Sequence, residues 1–145
     1  MEKRTIVTID ELYNFAREVV GGFAPKNNAH VLALQGDLGA GKTAFVKEVG
    51  KVLAIEETIT SPTFVVMKSY TIANHSFLTT LTHIDAYRIE SDDEMRVLGF
   101  EELLKDPTRL ICIEWPEKIE HLIPENAYPI SFTLHEQART ITYGV

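Results

Sequence analysis

Gly36-x-x-x-x-Gly41-Lys42-Thr43 is the stretch of this sequence with the clearest chemical content. It fits the phosphate-binding loop pattern, in which each residue type has a physical task. Gly36, Gly39 and Gly41 let the backbone turn where a Cβ would forbid it and let it approach phosphate closely. The N–H groups of Asp37, Leu38, Gly39, Ala40 and Gly41 can then point inward as an anion nest at a helix N-terminus. Lys42 can reach the β- and γ-phosphates as a mobile cation, and Thr43 offers a hydroxyl to Mg²⁺. The loop therefore predicts a bound nucleoside triphosphate with Mg²⁺.

Such a metal is also served by an acid at the end of a neighbouring strand. Two candidates compete. Leu110-Ile-Cys-Ile-Glu114 is an apolar run closed by an acid, whereas His83-Ile-Asp85 follows the more polar stretch LTTLTHID. The polarity of that stretch suggests a face open to solvent or to a site. Spacing does not choose between Asp85 and Glu114, and both can face the metal. Thr60-Ser61-Pro62-Thr63 lies where a switch segment could sense the γ-phosphate, although a rigid turn set by Pro62 explains it equally well. Trp115, the single tryptophan, follows Glu114 and could cover a base or a partner.

The elements that must position these groups are legible in outline. Asp10 can cap a helix over ELYNFAREVV, whose Leu12, Phe15, Ala16, Val19 and Val20 recur at helical spacing and which Gly21-Gly22 closes. His30 to Leu34 is a buried-type strand leading into the loop, and a helix from Lys42 carries Phe45, Val46, Val49 and Leu53 on one face. Thr63 to Thr71 and Phe77 to Ile84 flank the turn-like ANHS and read as a β-hairpin. Ser91 is a candidate cap for the short helix DDEMRVLGF, followed by a second helical piece, GFEELL. Arg109 to Ile113 is another buried strand, and AYPISFTLH with ARTITYGV reads as a closing antiparallel pair. The expected class is α/β: a P-loop NTPase-like three-layer sandwich whose mixed sheet carries antiparallel hairpin additions, formed by residues 1–145 as one domain.

Composition narrows the function further. Fourteen Lys plus Arg against 21 Asp plus Glu give a net charge of −7, which argues against broad unaided nucleic-acid binding. No segment approaches the ~20 apolar residues of a membrane span. The charged start MEKRTIVTIDEL lacks a secretory apolar run, and one cysteine cannot form an internal disulfide. The expected location is the cytoplasm. A GTPase would carry an Asn-Lys-x-Asp guanine reader, and none occurs in the sequence. A small-molecule kinase would cluster arginines for its second substrate, yet Arg88, Arg96, Arg109 and Arg139 are scattered, with only Arg88 beside a candidate site.

GDLGAGKT (36–43), SPTF (61–64), HIDAYR (83–88) and IEWPEK (113–118) occur together and in this order. That combination resembles the TsaE (YjeE) family, small bacterial ATPases of the tRNA threonylcarbamoyladenosine pathway, over most of the chain. The resemblance implies slow ATP hydrolysis and action with two partners, TsaD and TsaB, in modifying adenosine in tRNAs that read codons beginning with A. The tRNA is reached through that complex. It further implies that Lys42 contacts phosphate, Thr43 ligates Mg²⁺, and Asp85 and Glu114 surround the metal and the attacking water. Trp115 would lie beside the nucleotide or partner face, and 61–63 would be switch-like. Adenine contacts would come from the first helix, near Thr8 to Glu11, and from the final strands near Arg139. The alternatives left standing are a small-molecule kinase and a nucleotide-dependent binding module without useful catalysis.

Overall fold

The apolar runs HVLAL and LICI alternate their side chains between two packed faces, and this dictates the layering. A computed structural model of the protein describes residues 2–136 and 138–144. Its strands are β1 (Glu2–Ile6), β2 (His30–Gly36), β3 (Met67–Thr71), β4 (Thr80–Asp85), β5 (Arg109–Glu114), β6 (Tyr128–His135) and β7 (Ala138–Tyr143). They form one sheet in the order β1-β7-β6-β2-β5-β4-β3. The β6-β2-β5-β4 centre is parallel, while β3, β7 and β1 add antiparallel at the flanks. The mixed sheet with hairpin additions is therefore present.

Helices α1 (Ile9–Gly21) and α2 (Lys42–Val52) cover one face. Their Phe15, Val19, Phe45 and Val49 pack on Leu32, Leu34, Leu110 and Cys112. Helices α3 (Asp92–Val97) and α4 (Phe100–Leu104) and the 3₁₀ helix Pro116–Leu122 cover the other. There Met95, Phe100 and Ile119 meet Val31, Ile84, Ile111 and Ile113. The result is three layers with a core on each side of the sheet. No described helix is long and apolar enough to cross a membrane.

Two local expectations need correction and two are narrowed. The cap of α1 is Thr8, not Asp10: Thr8 is extended, its hydroxyl accepts from the Glu11 N–H, and the Glu11 carboxylate accepts from the Thr8 N–H. Thr8-x-x-Glu11 is a capping box, which satisfies two orphan donors where Asp10 would satisfy one. The first hairpin strand begins at Met67 rather than Thr63. The Pro62 carbonyl accepts from Val65 and Val66, turning the chain through a left-handed Val66 (φ 69°). Of the two alternatives for the polar strand β4, a face open to solvent or to a site, the second holds: Thr82 and His83 are fully buried, and His83 turns to Glu114. Thr82 pairs with Ser69 and Arg109, which hydropathy cannot register. Ser91 stands at the cap position of α3, but its side chain makes no capping hydrogen bond.

Candidate active site

Parallel strands deliver their carboxyl ends to the same edge of the sheet, and there the chemistry collects. Register places Leu34 of β2 opposite Glu114 of β5, and Glu114 opposite Asp85 of β4. The loop between β2 and α2 closes over this edge. Two glycines set its path. Gly36 has φ 148°, and a Cβ there would come within 2.6 Å of the Phe132 carbonyl oxygen; Gly41 has φ 112°, and a Cβ there would come within 2.6 Å of Arg139 Nε.

Lys42, at the first position of α2, is only 4% exposed. Its ammonium donates to the Gly36 carbonyl and rests 3.6 Å from the centroid of the Trp115 ring. Burial pushes its pKa below the usual lysine value, opposed by Glu114 and then by Glu117, Asp85 and Asp37. Three donors with one hydrogen-bond acceptor among the described residues leave the ammonium short of partners, and an anion would supply them.

The next residue joins the loop to the acids. Thr43 Oγ1 donates to Glu114 Oε2 at 2.8 Å, and His83 Nε2 lies 2.5 Å from the same oxygen. A carboxylate accepting the Thr43 proton accepts from His83 as well, so Nε2 carries the imidazole proton. Nδ1 of His83 is buried without a partner among the described residues. Oε1 of Glu114 takes no hydrogen bond from the described residues. Asp85 differs: Oδ1 accepts the Tyr87 N–H at 3.0 Å and Oδ2 accepts the Thr63 hydroxyl at 3.1 Å. Thr63 in turn lies 2.6 Å from Ser61 Oγ, which ties the 61–63 segment to the β4 acid.

Trp115 occupies a left-handed conformation (φ 60°, ψ 50°) directly after β5, costly for a residue with a Cβ. The turn swings the indole back over Lys42, with Tyr87 against it at 5.0 Å between centroids. A cleft of about 310 Å³ results. It is lined by Leu38, Gly39, Gly41, Lys42, Thr43, Ser61, Thr63, Asp85, Glu114, Trp115 and Arg139. Asp37 and Ala40 line the adjoining cleft beside Ser131 and Phe132. Glu11 is engaged in the capping box at the start of α1 and does not line the main cleft. Arg88, the arginine expected beside the site, turns to Phe64 at 5.0 Å, whereas Arg139 reaches the loop from β7.

No trio of His, Cys, Asp and Glu among the described residues forms a metal cage. The donors present are the Thr43 hydroxyl and two carboxylates, hard oxygen ligands of the kind Mg²⁺ takes together with water and phosphate. Sequence reasoning passed over His83 and Tyr87. For His83 a signal existed: residues 83 and 85 are two apart on one strand and share a face.

Such a loop between strand and helix at the carboxyl edge of a parallel-centred sheet defines a P-loop NTPase-like α/β protein. The crystal structure of Bacillus subtilis YdiB superposes on it with a TM-score of 0.72 and 29% identity, covering 98% of this chain and 83% of that one. The chain belongs to the TsaE family: residues 7–141 match the model described as threonylcarbamoyl adenosine biosynthesis protein TsaE. Similar proteins include the tRNA threonylcarbamoyladenosine biosynthesis protein TsaE of Rickettsia bellii, 37% identical over 126 residues, 86% of this chain and 81% of that one. The protein of the same name from Borreliella burgdorferi is 31% identical over 132 residues, 90% of each chain.

Proposed function

We propose that this chain is a Mg²⁺-dependent ATPase that works with TsaD and TsaB to support threonylcarbamoyl modification of adenosine in tRNAs reading codons that begin with A. The observation that carries the reading is the convergence of the phosphate loop on a buried acid: Thr43 and His83 meet on one oxygen of Glu114, and no described residue bonds the other. Lys42 and the loop amides bind and orient the phosphates. Glu114 positions the attacking water through its free oxygen and accepts a proton from it. Asp85, held by Thr63 and the Tyr87 amide, is the acid that stays fixed beside the switch segment. Trp115 shields the lysine side from water. Mg²⁺, held by Thr43 with Asp85 and Glu114 around it, would neutralise charge on the β- and γ-phosphates.

Phe64 is 84% exposed beside the Asp85-bound Thr63, so the switch segment lacks a cover. The reading expects slow turnover alone and faster turnover with partners, which would cover that segment. The test measures phosphate release by the purified chain, alone and with TsaD, TsaB and tRNA, with and without chelation of Mg²⁺. Stimulation by the partners and dependence on Mg²⁺ are expected; full-rate hydrolysis indifferent to partners contradicts the reading. Transfer of the γ-phosphate to a metabolite instead of water would mark a small-molecule kinase. Glu114→Gln should abolish hydrolysis and the tRNA modification together; retention of the modification would mark a binding module.

A further inference from the structure

Glu114 has two hydrogen-bond donors on Oε2, and only one of them is free to stay once the site is loaded. Thr43 is the hydroxyl that the ATPase reading assigns to Mg²⁺, so its bond to Glu114 is the one that loading competes for. The other donor, His83, is fully buried on β4 at 2.5 Å and has no second partner for its ring among the described residues. Opposite it in β5 stands the fully buried Cys112, and opposite it in β3 the half-buried Lys68, whose ammonium donates to the Thr60 hydroxyl instead. The imidazole thus spends its single polar contact on one carboxylate oxygen.

We infer that His83 is a positioning residue for hydrolysis: its Nε2–H holds Glu114 Oε2 and so keeps Oε1 turned to the attacking water when Thr43 is engaged elsewhere. The inference rests on the ATPase reading. A buried imidazole with only a packing role would need no donor aimed at the acid. Donors behind a reacting group fix its orientation, and their loss leaves binding intact while the chemical step slows.

The test compares His83→Leu, which removes the donor at similar bulk, with His83→Gln, whose amide nitrogen reaches about as far as Nε2. With saturating Mg–ATP, His83→Leu should lower kcat roughly 10–100-fold while KM stays within about twofold, and His83→Gln should recover most of the loss. Crystal structures of the two variants should show the Glu114 carboxylate displaced in His83→Leu and in place in His83→Gln. Wild-type kcat in His83→Leu, or an unmoved Glu114 carboxylate in its crystal structure, would overturn the inference. If His83→Leu does not fold, His83→Asn replaces it, since its amide is too short to reach Oε2; equal rates for Asn and Gln then overturn the inference. A wild-type chain that hydrolyses no ATP refutes the ATPase reading, while the carboxylate's place in the variants still decides the positioning role.

Discussion

Lys42 Nζ stands 3.6 Å from the centre of the Trp115 ring, so the cation of the phosphate loop is parked on the only indole in the chain. A cation over an aromatic face contributes about 0.5–2 kcal/mol, and a phosphate must compete with it for the ammonium. Titration with Mg–ATP should therefore change Trp115 emission in a saturable way. Lys42→Met should shift the emission of the free protein and lose that response. Emission that does not change while calorimetry records binding would refute the coupling.

Gly41→Ala should be destabilising for two separable reasons. Holding a residue with a Cβ at φ 112° costs about 1–3 kcal/mol, and the new methyl meets Arg139. Adding Arg139→Ala should relieve the clash and leave the backbone strain. Urea denaturation should show partial recovery in the double variant; complete recovery would mean that the backbone conformation carries no cost.

His30 should make stability depend on pH. Its ring is buried between Phe23 and Phe77, with Nε2 at 2.8 Å from the Ala24 carbonyl. Burial pushes its pKa below the usual histidine value, against the opposing effect of that hydrogen bond. The unfolded chain titrates near ~6.5 and the folded one lower, so the contribution is complete above ~6.5 and is lost as pH falls through the folded value. Unfolding free energies from urea titrations between neutral and mildly acid pH should decline less in His30→Gln than in wild type. Parallel pH profiles would contradict this.

Cys112 should resist thiol reagents until the sheet opens. It is fully buried in β5, and burial, with Glu114 adding to it, pushes the thiol pKa far up. The thiolate is the reactive species, so labelling by a disulfide reagent should follow unfolding and accelerate with urea. Rapid labelling of the folded protein would show that β5 opens locally.

What could be read before the fold was known divides along physical lines. The phosphate loop was legible because its demands are local: Gly41 needs a left-handed backbone, and Lys42-Thr43 follows it directly. The three layers were legible because both faces of β2 and β5 are apolar. The choice between Asp85 and Glu114 was not, because strand order and register are long-range facts. For strand β4, solvent and a site stayed open as alternatives, since hydropathy counts Thr82 and His83 as polar without knowing that Arg109 and Glu114 await them. Strand β1 passed unnoticed because Glu2, Lys3 and Thr5 are exposed and only Ile6 is buried, as suits the outer edge of a sheet. Arg139 near the loop was expected only from the family resemblance, and the pairing of β7 with β6 brings it there.

The bond from Thr43 to Glu114 joins positions 71 residues apart, and this orders events during synthesis. A growing chain that has reached the end of α2 already contains every residue of the phosphate grip. It contains neither acid, nor the histidine behind Glu114, nor the indole that shelters the lysine. On the proposed ATPase reading, hydrolysis cannot precede pairing of β2 with β5, and a prematurely ended product could retain anion affinity but no means of cleaving what it holds.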